Sequence, residues 1–187
     1  MRKLIASMNM TLDGYCDHLA VIADEELHQY FNELLRNADT IIFGRVTYQL
    51  MEDSWPQIVK KPVGNKSIDE FAVLIDSISK VVFSNTLKGV EWRNTRLATG
   101  TIEKEVRNLK EQPGKNILVG SPSLVVELTK LGLIDEYQLC VHPVVLGSGI
   151  TLFKNITERI NLHLLKTKIM GSGAVVLEYE PAARNEK

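Results

Sequence analysis

The 187-residue chain has only two cysteines, Cys16 and Cys140. Two thiols without zinc-ligand spacing exclude a disulfide scaffold and a structural zinc site, so both are expected to be free. Histidine is scarce as well, and His18, His28 and His163 show no metal spacing. No metal is expected. No apolar stretch is long enough to span a bilayer, and the opening Met1-Arg2-Lys3-Leu4-Ile5 runs into a strand pattern instead of a signal peptide. A cytoplasmic protein without a membrane partner is therefore expected. A net charge of -1 supplies neither a basic face for nucleic acid nor an acidic tail. Neither G-x-G-x-x-G nor a Walker A loop occurs, and no repeat or low-complexity segment interrupts the chain. What remains is ordinary globular composition, 44% apolar and 24% charged, at a length suited to one core. A single domain over residues 1–187 is expected.

Strand and helix patterns alternate along it. Residues 3–8 read as a buried strand. Residues 25–36 read as a helix after an Asp24 cap, with Leu27, Tyr30, Phe31, Leu34 and Leu35 on one face. A strand at 40–43 precedes a short helix at 46–51 and a loop at 60–65 containing Pro62 and Gly64. Ser67 and Glu70 form a candidate capping box for a helix through 77. Strands are expected at 81–84, 96–98, 116–119, 136–142, 162–169 and 174–180, and helices at 102–109 and 123–131. Gly171-Ser172-Gly173 favours a hairpin between the last two strands. Such β-α units followed by a hairpin predict an α/β fold: a mostly parallel central sheet flanked by helices, with antiparallel strands at one edge.

Two places share one layout. A β-branched run ends in glycine and feeds a helix in Ile41-Ile42-Phe43-Gly44-Arg45-Val46-Thr47-Tyr48 and again in Ile117-Leu118-Val119-Gly120-Ser121-Pro122-Ser123-Leu124. Glycine there lets backbone approach a ligand, and the helix start turns free N–H groups toward an anion. Arg45 suits a terminal phosphate, with the Thr47 hydroxyl beside it. The pair fits a phosphorylated dinucleotide, or two structural turns of the kind any α/β protein contains.

The segment Gly44-Arg45-Val46-Thr47-Tyr48 resembles the G-R-x-T-Y/W signature of the dihydrofolate reductase superfamily. The blocks V-G-S-P-S-L-V, L-G-L-I-D-E and H-P-V-V-L-G-S-G-I-T-L-F between Ile117 and Phe153 resemble one branch, which contains the C-terminal reductase domain of the bacterial bifunctional deaminase-reductase of riboflavin synthesis. The opening Met8-Asn9-Met10-Thr11-Leu12-Asp13-Gly14-Tyr15 is similar to the start of that branch. The resemblance runs from Met1 to about Tyr179. It implies a three-layer dihydrofolate-reductase-like fold and NADPH-dependent hydride transfer to a pyrimidine or pterin. A 5-amino-6-(5-phosphoribosylamino)uracil is the substrate of that branch. The deaminase activity of the bifunctional relatives is not expected of this chain, since no H-x-E or P-C-x-x-C motif occurs.

That resemblance also implies residue roles. Gly44, Arg45 and Thr47 would hold the pyrophosphate and the 2′-phosphate, and Ser84 would lie under the adenosine end. Gly120, Ser121, Ser123 and Leu124 would cradle the pyrophosphate. Relatives often carry Gly-Gly where this chain has Gly120-Ser121-Pro122, and the Ser121 and Ser123 hydroxyls are expected to replace lost backbone contacts. Ser7 and Met8 would adjoin the nicotinamide. Asp13 is the carboxylate expected to orient or protonate the substrate, although Asp-Gly is also a standard turn pair. Dihydrofolate reductases keep a carboxylate inside the first helix, and here the match slips by one residue over Ile22-Ala23-Asp24-Glu25-Glu26-Leu27-His28. Cys140 and His142 share a strand face and are expected to pack, not react. A homodimer is expected through residues 139–145. A true dihydrofolate reductase and a non-catalytic nucleotide-binding module are the alternatives.

Overall fold

A computed structural model describes residues 1–182, so the end of the expected domain, 183–187, lies outside the described residues. The strands are β1 (Leu4–Thr11), β2 (Ala38–Gly44), β3 (Ser79–Phe83), β4 (Thr95–Leu97), β5 (Asn116–Val119), β6 (Glu136–His142), β7 (Leu162–Ile169) and β8 (Val175–Pro181). They form one sheet in the order β4-β3-β2-β5-β1-β6-β8-β7. Every pairing from β4 across to β6 is parallel, whereas β8 runs antiparallel to both β6 and β7. The hairpin therefore folds back, inserting β8 between β6 and β7.

Side-chain alternation along the central strands builds two cores. In β1, Leu4, Ala6 and Met8 pack with Val106 and Leu109 of α4 (Ile102–Glu111) and Val125 and Leu128 of α5 (Pro122–Lys130). Ile5 points the other way, clustering with Leu35 of α1 (Glu25–Arg36), Tyr48 of α2 (Arg45–Lys60) and Ile75 of α3 (Lys66–Ser77). In β5, Ile117 and Val119 share the first cluster while Leu118 joins the second. Helices thus cover both faces, as the sequence predicts, and each fully buried aliphatic side chain contributes about 1.5–3 kcal/mol.

Two elements differ from the sequence reading. The helix expected at 46–51 continues to Lys60 through Pro56, because Tyr48, Met51 and Trp55 keep presenting one apolar face to the second core. The α3 cap is Asn65, whose side chain accepts from the Ser67 and Ile68 N–H groups. Glu70 instead pairs with Arg36 of α1. Within 139–145, the part in β6 is interior, since β6 lies between β1 and β8 with Leu139, Cys140 and His142 buried, whereas Pro143 and Val145 beyond it are exposed. The exposed late strand is β7, carrying Leu164, Leu165 and Ile169 on the outside.

Candidate functional site

The carboxyl ends of β1, β2 and β5 open into a cavity of ≈ 790 Å³, walled by α1, α2, α3 and the start of α5. Both glycine turns line it. Ligands of open α/β sheets sit in this position.

The two helices that begin at those turns differ from the others in one respect. Asp24, Asn65 and Thr101 cap α1, α3 and α4 with side-chain hydrogen bonds, whereas α2 and α5 have no side-chain cap. Their first N–H groups have no capping side chain, at the positive ends of two helix dipoles. Glycine at the turns is not demanded by backbone geometry, since Gly44 has φ -80 and Gly120 is not among the positive-φ glycines. A Cβ at Gly120 would meet only the Ser7 carbonyl oxygen, at 3.6 Å, and one at Gly44 would meet Ser123 Oγ at 3.6 Å. The fold has room for a Cβ at both positions. What their absence preserves is room beside free N–H donors, which suits a pyrophosphate.

One hydrogen bond joins the turns: the Gly44 N–H donates to Ser121 Oγ at 2.9 Å. Ser121 is buried at 1% exposure, so its hydroxyl spaces the two helix starts instead of facing the cavity. Pro122 occupies the first turn of α5 without costing an N–H bond, and all described peptide bonds are trans. Arg45, Thr47, Ser123, Leu124 and Ser7 all line the cavity. Arg45 Nη1 reaches Gln49 Oε1 at 3.0 Å across one helical turn, leaving an exposed guanidinium at the rim. Ser84 does not line the cavity. Its Oγ accepts from the Thr86 and Leu87 N–H groups at 3.1 and 3.0 Å, closing the turn after β3.

Asp13 also stands outside the cavity lining. Its carboxylate accepts from Thr11 Oγ1 at 2.5 Å, from Gly147 N–H at 2.7 Å and from Leu146 N–H at 3.0 Å. The Thr11 hydroxyl first, and the Gly147 N–H next, hold its pKa below the usual carboxylate value. An ionised acceptor of this kind is suited to fastening the loop 144–150, not to supplying a proton near neutrality. Tyr15 pairs with Thr151 and the Cys16 N–H donates to the Ile150 carbonyl at 2.7 Å, completing the strap.

No carboxylate of α1 lines the cavity. Asp24 is spent on the Leu27 and Ser172 N–H groups, and Glu26 on the Gly171 N–H and Lys168. The α1 residue that does line it with a titratable group is His28. Its Nδ1 lies 2.9 Å from the Asp24 carbonyl, which can only accept, so that nitrogen carries the proton and Nε2 is the remaining one. In the sequence His28 carries no motif and no metal spacing. Its place one helical turn before Phe31 on the apolar face of α1 was the available signal.

His142 is buried at 1% exposure, accepts from the Ile22 N–H at Nδ1 and faces Asn9 Oδ1 from Nε2 at 2.9 Å. Burial pushes its pKa down and pushes the Cys140 thiol up to about 12. The pair is a packed, neutral one, as the sequence reading expects.

A family model described as the RibD C-terminal domain matches residues 2–176. The chain belongs to that family. It is 35% identical over 184 residues to the uncharacterized protein YyaP of Bacillus subtilis, covering 95% of this chain and 94% of that one. Among solved structures, a putative riboflavin biosynthesis protein from Shewanella superposes with TM-score 0.74 at 18% identity, over 96% of this chain and 99% of that one. The Thermotoga maritima deaminase/5-amino-6-(5-phosphoribosylamino)uracil reductase gives TM-score 0.66 at 17% identity, over 97% and 57%. Dihydrofolate reductase from Enterococcus faecalis, complexed with NADP(H), gives 0.63 at 14% identity, over 98% and 97%. The fold is dihydrofolate-reductase-like, and the family is one of reductase-type domains. No helix among the described residues is long and apolar enough to cross a membrane.

Proposed function

We propose that the protein is a cytoplasmic NADPH-dependent reductase that delivers hydride to a small heterocyclic substrate of the pyrimidine or pterin class. The observation that carries this reading is the pair of uncapped helix N-termini, tied together by Gly44 and Ser121, opening onto one cavity. The residues present fit the cofactor. The first N–H groups of α2, after Gly44, would hold one phosphate, Gly120 and the start of α5 another, and Arg45 with Thr47 the 2′-phosphate. Ser123, between the turns, would add a hydroxyl, and Leu124 an apolar floor. Ser7, at the cavity end of β1, would bound the nicotinamide. When bound, NADPH supplies the hydride; the protein's part is to align two rings and exclude water.

Asp13 acts in this reading by positioning, through the loop it fastens. Asp13→Asn is expected to lower turnover while leaving NADPH affinity nearly unchanged, and to quicken amide exchange at Leu146 and Gly147. Because its folded pKa is depressed, the fastening is present above the unfolded carboxylate pKa and lost as pH falls through the folded one. Unchanged exchange at those two amides would remove the role.

Fluorescence titration of the purified protein with NADPH and with NADH tests the main reading. Micromolar NADPH binding with clear preference over NADH is expected, and no binding of either would overturn it. The exposed edge of β7 is where a second copy of the chain would add. Sedimentation is expected to report twice the 21.0 kDa chain mass, and a species of single mass would exclude the homodimer.

A further inference from the structure

We infer that the substrate carries an apolar or aromatic substituent and no phosphate, so that it is not a phosphoribosylated pyrimidine. This rests on the reductase reading above and names the substrate class of the same site.

The first ground is a count of seats for phosphate. NADPH brings three phosphates, and the cavity offers three anion seats: the start of α2, the start of α5, and Arg45. Among the residues that line the cavity, Arg45 is the sole lysine or arginine. The other basic groups there are His18, beside Asp17 at 4.0 Å, and His28, whose Nδ1 is committed to the Asp24 carbonyl. Once the cofactor is in place no guanidinium or ammonium is left for a fourth phosphate. Desolvating a dianion without one is costly.

The second ground is the wall opposite. Leu27 and Phe31 of α1, Leu50, Met51 and Trp55 of α2, and Phe71 of α3 converge on the cavity. The Trp55 and Phe71 rings stand 4.4 Å apart at 54°, and the Trp55 N–H is turned aside onto Met51 Sδ at 3.2 Å. This wall therefore offers ring faces and aliphatic carbon but few donors, and Leu50 keeps 40% of its surface exposed. An apolar group laid against it recovers burial that the folded chain alone leaves unused. A ribose phosphate would recover none.

Fluorescence titrations with pterin and 6-phenylpterin, with and without saturating NADPH, test the wall. Competition by 5-amino-6-(5-phosphoribosylamino)uracil and by its dephosphorylated form tests the phosphate. Phenylpterin is expected to bind about tenfold or more tightly than pterin, and the phosphate to add less than about threefold. Leu50→Glu, at a half-exposed position, and Trp55→Ala should each bring phenylpterin down to the pterin level. A phosphorylated competitor that binds at least about tenfold tighter than its dephosphorylated form would overturn the inference. So would equal binding of the two pterins, or a phenyl preference untouched by either variant. Loss of the reductase reading is separable: NADPH would fail to bind while the phenyl preference, measured without cofactor, persisted.

Discussion

Arg45→Ala is expected to weaken NADPH binding by about tenfold or more while changing NADH affinity less than about threefold. A charge-assisted guanidinium–phosphate contact contributes roughly 1.5–3 kcal/mol, and NADH lacks the phosphate that would receive it. The structure makes this variant clean. Arg45 is exposed at the start of α2, and its one side-chain partner, Gln49, lies on the same helix, so neither core loses a contact. Thermal stability should therefore stay within a degree or two of the parent. Gly120→Ala provides the complementary arm, because its added methyl enters the space beside the α5 N–H groups and should weaken both dinucleotides together. Equal losses for NADPH and NADH in Arg45→Ala would show that the guanidinium does not read the 2′-phosphate.

The contrast between these two positions shows why the two glycine turns and their helix starts were legible in the sequence. Strand, glycine and helix start are local features, and the geometry of a helix N-terminus follows from the backbone alone. The strand-helix rhythm and the hairpin were legible for the same reason. What could not be read was how hydroxyls and carboxylates divide between ligand and fold. Ser84, Ser121 and Asp13 look alike in sequence to groups that face a ligand, yet each is spent on backbone N–H groups. For Ser121 and Asp13 those groups lie far along the chain, and only tertiary closure reveals them. His28 is the converse, a residue without a sequence motif that the packing of α1 sets against the cavity. The inversion of β7 and β8 belongs with these, since a hairpin specifies a pair but not which member lies inside.

The largest pH effect is expected at Lys80, the second residue of β3. It is 1% exposed. Its Nζ donates to the carbonyls of Asp76 and Ile78 at 2.9 Å and of Arg93 at 3.2 Å, and lies 4.3 Å from the centre of the Trp92 ring. Trp92 in turn donates to Asp76 Oδ1 at 2.7 Å, so one buried ammonium bolts the end of α3 to the loop before β4. Burial pushes its pKa down from 10.5 to about 8, because the carbonyls and the ring do not replace all of the lost hydration. The folded protein therefore binds fewer protons here than the unfolded chain between pH 8 and 10.5, and the contribution of this group to stability rises with pH across that window. Other groups titrate there in the opposite sense, including the Cys16 thiol, raised to about 11 by burial. The difference between parent and Lys80→Met cancels them. Denaturant unfolding at pH 7.5 and at pH 10 is expected to move that difference by about 2 kcal/mol in favour of the parent. A difference independent of pH would mean that Lys80 keeps its ordinary pKa and that the three carbonyls and the Trp92 ring hydrate the ammonium as well as water does.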